Sequence, residues 1–195
     1  NSNLLPLTQP FNRPPWNYSG SETAPSIPAN VTDWVLLEAL DGLQNVVARQ
    51  AALLRNDGIL LSPDGSVGVT FTSGVSAGNS YLLRIRHRNH IALQSSAGIV
   101  IPNTNNPYDF SAAGNVQGGA TQVAAVGAGM NAMNAADITA NGIVNYADFN
   151  AIFTQNGLGN VYIDADCNLD GGIDASDFSL YTQRTGAIGI AVIRY

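Results

Sequence analysis

Residues 31–61 read VTDWVLLEALDGLQNVVARQAALLRNDGILL, and the fold turns on how that stretch divides. Val31–Leu40 mixes β-branched, aromatic and aliphatic residues and stops at Asp41-Gly42. A second apolar run, 46–54, stops at Asn56-Asp57-Gly58, and a third, 59–61, meets Pro63-Asp64-Gly65. Asp-Gly pairs accept the positive backbone torsions of tight hairpins, so the runs read as consecutive antiparallel strands. Segments 67–72, 80–88 and 91–94 follow at similar spacing. Six or so short strands divided by Gly, Asn and Pro predict a mainly β chain, with an antiparallel β-sandwich over 31–134.

Outward from this block the composition shifts in both directions. Residues 1–30 hold six of the nine prolines and cannot be helical. They also carry Leu4, Leu5, Leu7, Phe11, Trp16 and Tyr18, apolar groups that seek cover. This is an extended arm that either lies on its own domain or adds to a neighbour's sheet. In the other direction, 102–134 is rich in Gly, Ala and Asn, with a possible strand at 121–126. Residues 187–195 are β-prone and are expected to return to the sheet as a last strand.

The 195 residues carry 8 basic and 14 acidic side chains, net −6, and every cation is Arg. An acidic chain of this kind lacks the clustered positive charge that nucleic acid demands. No apolar run is long enough for a membrane helix. The single Cys167 excludes an intrachain disulfide framework. A start at Asn1 suggests a processed, exported product, and the sequons at Asn17 and Asn30 fit glycosylation outside the cell.

Seven of the 14 acids lie between residues 137 and 177, where no Arg occurs. Such crowding repels itself unless a cation sits within it. A pattern repeats there at an offset of 29. Asp137, Thr139, Asn141, Asn145 and Asp148 align with Asp166, Asn168, Asp170, Asp174 and Asp177, as loop positions 1, 3, 5, 9 and 12. Gly142 and Gly171 fall at position 6. Oxygen side chains at these places, plus a backbone carbonyl at position 7 from Ile143 or Gly172, match what calcium takes from a 12-residue loop. Two sites are expected, the second stronger because it holds more carboxylates. A short amphipathic helix follows each loop, with Phe149, Ile152 and Phe153, then Phe178, Leu180 and Tyr181, read as core.

This duplication, over about 137–184, resembles the type I dockerin module, a paired calcium-loop-and-helix unit of secreted bacterial proteins. The resemblance implies a small α-helical calcium unit over 135–186 and assigns the loop residues above as ligands. Dockerins plug into cohesins with loop positions 10 and 11 helping choose the partner; here these are Tyr146-Ala147 and Ala175-Ser176, and the halves differ. Upstream, Leu5-Pro6-Leu7-Thr8-Gln9-Pro10-Phe11, Pro15-Trp16-Asn17-Tyr18, Asp33-Trp34-Val35-Leu36-Leu37-Glu38 and Arg86-His87-Arg88-Asn89-His90 resemble the β-sandwich region that precedes dockerin-like repeats in large surface proteins of Bacteroidota. That implies export and cell-surface residence.

Strand alternation over 80–88 puts Tyr81, Leu83, Ile85 and His87 on a core face. Arg84, Arg86 and Arg88 fall on the other, either as a solvated face or as a contact for an anionic glycan or a neighbouring subunit. His87 and His90 read as sheet and turn residues. Cys167 has no His partner, and neither a nucleophile elbow nor a phosphate loop is present, so no enzyme is expected. The leading expectation is a non-catalytic, calcium-stabilised extracellular structural subunit, self-assembling into a filament through its arm. The alternatives are a dockerin-type interaction module and a glycan-binding adhesin using Trp16 or Trp34.

Overall fold

In the computed structural model, which describes residues 2–103 and 107–195, strand β1 (Val31–Leu40) turns at Asp41 into β2 (Val46–Arg55), and β2 turns at Asp57 into β3 (Leu60–Leu61). The acids shape these turns as much as the glycines do. Asp41 Oδ1 accepts from the amides of Leu43 and Asn45 at 2.8 and 2.9 Å, and Asp57 Oδ1 accepts from Ile59 at 3.2 Å. β4 (Ser80–Arg86), β5 (Leu93–Gln94) and β6 (Ile99–Val100) complete a six-stranded antiparallel sheet in the order β3-β2-β1-β4-β5, with β6 also paired to β4. Asn1 of the expected arm and residues 104–106 lie outside the described residues.

β7 (Val123–Gly127) and β8 (Met130–Met133) form a separate two-stranded sheet. Only two α-helices follow, α1 (Tyr146–Gln155) and α2 (Ala175–Arg184). The chain is mainly β and antiparallel, as its turn pattern implies. The layers against the large sheet, however, come from irregular segments rather than from a second large sheet.

Both faces of β1 are buried. On one, Trp34 and Leu36 pack with Ala51 and Leu53 of β2 and with Phe11, Trp16 and Ala24 of the N-terminal segment. That segment folds back on itself: Gln9 N donates to Glu22 O at 3.0 Å and Ala24 N to Leu7 O at 2.8 Å. Trp34 Nε1 then donates to Pro6 O at 2.8 Å. Phe11 and Trp16, at 0% and 3% exposure, are core residues of their own domain, each contributing about 1.5–3 kcal/mol by burial.

On the opposite face Ala39, Ala48 and Tyr81 meet Phe71, Val75 and Ile101. Residues 67–72 are therefore not the strand that their composition predicts, apart from an isolated bridge between Leu61 and Val67. They lie across the sheet, and Gly74 comes so close that a Cβ there would stand 2.0 Å from Val47 O. The expected strand at 121–126 starts instead as a 3-10 turn, Gly119–Gln122, before β7.

Residues 187–195 also depart from expectation. Ile188 bridges to Ile143, and Ala191–Ile193 is a 3-10 turn. Ile193 is buried beside Ile91 and Ala92. Arg86 holds the turn in place, donating from Nη1 to Ile193 O at 3.1 Å, with its guanidinium 4.1 Å from the Tyr195 ring centre. The terminus caps a sheet face rather than extending an edge.

Candidate metal centre

The two loops at 137–148 and 166–177 share one hydrogen-bond skeleton. The position 1 carboxylate caps the amides of positions 5 and 6: Asp137 accepts from Asn141 and Gly142 at 3.0 and 2.9 Å, and Asp166 from Asp170 and Gly171 at 3.1 Å each. The position 5 side chain caps position 7, through Asn141 to Ile143 at 2.9 Å and Asp170 to Gly172 at 2.8 Å. The position 12 carboxylate reaches back across the loop. Asp148 accepts from the amides of Thr139 and Asn145 at 2.9 and 2.8 Å; Asp177 accepts from Asn168 and Asp174 at 3.3 and 2.9 Å.

Asn145 and Asp174 double as the N-caps of α1 and α2, each in a reciprocal capping box with the acid three residues on. Positions 4 and 6 take positive φ in both loops: Ala140 and Gly142 at 53° and 81°, Leu169 and Gly171 at 64° and 89°. The repeat read in the sequence is thus a repeat of geometry.

Each loop is completed by the other half. After α1, Gly157 N donates to Ile173 O at 2.8 Å, and Ile173 N to Leu158 O at 2.8 Å. After α2, Gly186 N donates to Val144 O at 2.9 Å, and Val144 N to Ala187 O at 2.9 Å. This exchange relates the halves by the same 29-residue offset. Only the Gly residues trailing each helix hinted at it in the sequence. Val144, Ile152, Ile173 and Tyr181 pack within this unit. Phe153 and Phe178, expected in the core, are instead 69% and 43% exposed, as is Tyr146 at 70%. Period 3.6 marks a face of a helix, and a ten-residue helix with one small partner cannot cover all of it.

The electrostatics of the loops are unusual. Asp137, Asp148, Asp166 and Asp177 are 2%, 0%, 3% and 0% exposed. Burying a carboxylate costs several kcal/mol unless a cation compensates. Asp166 has Arg88, whose Nη2 lies 3.6 Å from Oδ2. Among the described residues no cationic side chain pairs with Asp137, Asp148 or Asp177. Burial, with Asp148 close by, pushes Asp137 up to about 7 against the pull of the Gly142 amide.

Among the described residues no three carboxylate, imidazole or thiolate groups converge on a point. The remaining donors in each loop are hydroxyl, amide and carbonyl oxygens. Such an all-oxygen set suits a hard ion that takes six to eight oxygens, and not a thiophilic or imidazole-seeking one. Calcium fits these residues. Cys167, at position 2, is buried and its thiol is pushed up to about 12 by burial and by Asp177.

The arginine stripe is neither a solvated face nor a surface for a ligand or subunit: Arg84, Arg86 and Arg88 are 4%, 6% and 1% exposed. Their physical reason is two buried acids on β1. Glu38 accepts from Arg49 Nε at 2.9 Å, Arg84 Nη1 at 3.2 Å and Arg86 Nε at 2.8 Å. Asp33 accepts from Arg88 Nε at 2.7 Å and from the Tyr162 hydroxyl at 2.6 Å. His87 Nε2 sits 3.1 Å from Asp33 Oδ2, without hydrogen-bond alignment. Acids at 33 and 38 inside an otherwise apolar strand were the signal for these partners. Trp16 and Trp34, at 3% and 0% exposure, have no face left for a sugar.

The sequence placed Arg88 on the stripe but gave Asn89 no role. Arg88 and Asn89, just past β4, meet the starts of both loops. Asn89 O accepts from Asp137 N at 3.0 Å. Asn89 Nδ2 donates to Asp164 O at 2.8 Å and Asp166 O at 2.6 Å, and Arg88 Nη1 donates to Ile163 O.

No family model matches the chain, and no curated protein matches it. Among solved structures, it is similar to two crystal structures of a type II cohesin–X-dockerin complex from Acetivibrio cellulolyticus. The N-terminal interface mutant matches at 13% identity and TM-score 0.40, the C-terminal interface mutant at 15% and 0.44, each over 79% of this chain and 81% of that chain. Likenesses this slight carry no weight for fold or function.

Proposed function

We propose that the chain is a non-catalytic, calcium-stabilised structural module of the cell exterior, with residues 137–184 as a dockerin-like calcium unit. The observation that carries this reading is the burial of Asp137, Asp148 and Asp177 in two matching loops where, among the described residues, none of them forms an ion pair. The charge of Arg86 reaches Asp137 without pairing and leaves it pushed up to about 7. Calcium at each loop would supply the missing charge. It would be held by Asp137, Thr139, Asn141, Asn145, Asp148 and the Ile143 carbonyl in the first loop. In the second, Asp166, Asn168, Asp170, Asp174, Asp177 and the Gly172 carbonyl would hold it more tightly. The groups that catalysis would draw on are otherwise engaged: Cys167 is buried as a thiol, and the Asp33 and Glu38 carboxylates are taken up by arginines.

Calcium at a hundredfold excess over Kd stabilises the fold by about 2.7 kcal/mol per site. For a chain of this length that is roughly 5–10 °C in Tm per site. Thermal melts in calcium and in excess chelator test it. A drop of that size in chelator supports the reading, and superimposable melts contradict it.

Filament formation remains part of this proposal in a restricted form. The N-terminal segment fills its own domain's groove, so a filament joined through it needs a neighbour's Phe11 and Trp16 to replace these residues in trans. Full-length chain in calcium is expected to give polymers by light scattering and negative-stain microscopy. A strict monomer up to millimolar concentration removes the filament from the proposal. Asn17 and Asn30 are both exposed, as glycan acceptors must be.

A second reading, a protein-interaction module, is favoured by one observation. Tyr146, Phe149 and Phe153 stack along α1 at 5.6 and 5.8 Å, and Phe178 joins them from α2 at 5.9 Å. Rings stacked on each other have little free face for a sugar, and their exposed edges suit an apolar protein surface.

A further inference from the structure

We propose that Asn89 is a positioning residue shared by the two calcium loops, so that filling one loop changes the affinity of the other. This rests on the calcium reading above and adds a route of communication to it. Asn89 is 0% exposed. Its backbone carbonyl holds the amide of Asp137, position 1 of the first loop, at 3.0 Å. Its side-chain amide holds the carbonyls of Asp164 and Asp166, at the entry to the second, at 2.8 and 2.6 Å. Asn89 Oδ1 is fixed in turn by His90 Nδ1 at 2.7 Å, which leaves the amide group one orientation.

Position 1 anchors the whole loop, because its carboxylate caps the amides of positions 5 and 6 in both copies. One side chain and one carbonyl of the same residue therefore set where both loops begin. Groups that orient metal ligands from behind typically govern affinity by about 10–100-fold. Next to it, Arg88 donates to Ile163 O and pairs with Asp33 at 2.7 Å. The bracket is thus rooted in β1, and a shift of either loop start is resisted by the sheet.

The test is a two-site calcium titration of the full chain by calorimetry, comparing wild type with Asn89→Ala and the isosteric Asn89→Asp. Both substitutions remove the donor to Asp164 and Asp166 and leave the carbonyl that holds Asp137. Weakening of both sites by about tenfold or more is expected, the second directly and the first through coupling. Melts that fall equally in calcium and in chelator, with both Kd values unchanged, make Asn89 a packing residue and overturn the proposal. A second variant covers misfolding of the first two. Asp170→Ala lies on the loop surface and keeps Asn89, and it is expected to raise the first site's Kd several-fold while abolishing tight binding at the second. An unchanged first-site Kd overturns the coupling. If wild type itself takes up no calcium, the calcium reading fails first; if wild type binds and the variants bind alike, only the coupling does.

Discussion

Glu38 is the residue on which the large sheet is most exposed to a single change. It is 0% exposed and faces Arg49, Arg84 and Arg86 at once. Removing one member of a buried charge network leaves the others uncompensated, at about 3–5 kcal/mol. Glu38→Ala is therefore expected to lower unfolding free energy by that amount in urea. A loss under 1 kcal/mol would place this network among weak surface pairs. Strand alternation located Arg84 and Arg86 correctly on one face. It could not show that the face is buried, because the cover comes from residues 1–30 and 191–195, far away in sequence.

The neighbouring cluster around Asp33 sets a pH dependence. Burial, the neighbouring His87 and Arg88 hold His90 well below the usual imidazole value, against the pull of Asp33. The unfolded chain then binds a proton near pH 6.5 that the folded chain refuses, so stability falls as pH drops below about 6.5. Burial would raise Asp33, but His87, Arg88 and the Tyr162 hydroxyl outweigh it and hold it well below the carboxylate range. Its contribution is complete above the unfolded value of about 4 and is lost below that. Asp137, pushed up to about 7, works the other way, because the folded chain takes its proton before the unfolded chain does. The His90 part is therefore read, by chemical denaturation from pH 8 to 3, as the difference between wild type and His90→Gln, which is expected to shift against wild type as pH falls below about 6.5. A difference that does not change with pH would contradict the assignment of His90.

At the scale of elements, the twin loops were legible because every position that matters is a side chain of fixed type at fixed spacing. What closes them was not. The segments after α1 and α2 pair across the halves by backbone hydrogen bonds, which any sequence can make. Gly142 shows how tightly the closure fits: φ is +81°, and a Cβ there would stand 2.6 Å from Arg194 Cγ and 3.2 Å from its Cα. Gly142→Ala is expected to cost at least about 1–2 kcal/mol from the torsion alone. Calorimetry on that variant should also show weaker binding at the first loop, and an unaltered melt would mean that the C-terminal turn is not seated there. Segment 67–72 failed as a strand for a related reason. Its Phe71, with Val75 just beyond it, covers Ala39 and Ala48 on the sheet face, and composition does not record whether such a segment covers a face or pairs at an edge.

The whole molecule is a sheet with two covers and a loop unit bolted to it through Arg88 and Asn89. A chain of this kind is stable by about 5–15 kcal/mol in total. Two cations contributing about 2.7 kcal/mol each at a hundredfold excess would be a large part of that. The sequence alone pointed to calcium by repeat and spacing. The structure adds that, among the described residues, Asp137, Asp148 and Asp177 are buried without an ion pair, which is what the calcium proposal rests on. It also buries the arginines and tryptophans that one alternative reading assigned to a glycan surface.

The most direct measurement is metal stoichiometry. Full-length chain is dialysed against millimolar calcium, freed of unbound ion and assayed by elemental analysis, beside Asp170→Ala and Asn141→Ala. Two calcium ions per wild-type chain are expected, with the Asp170 substitution losing the more tightly held one and the Asn141 substitution the weaker. A wild-type chain that retains none, and melts alike with and without the ion, would mean that Asp137, Asp148 and Asp177 are neutralised in some other way, and the calcium reading would fall.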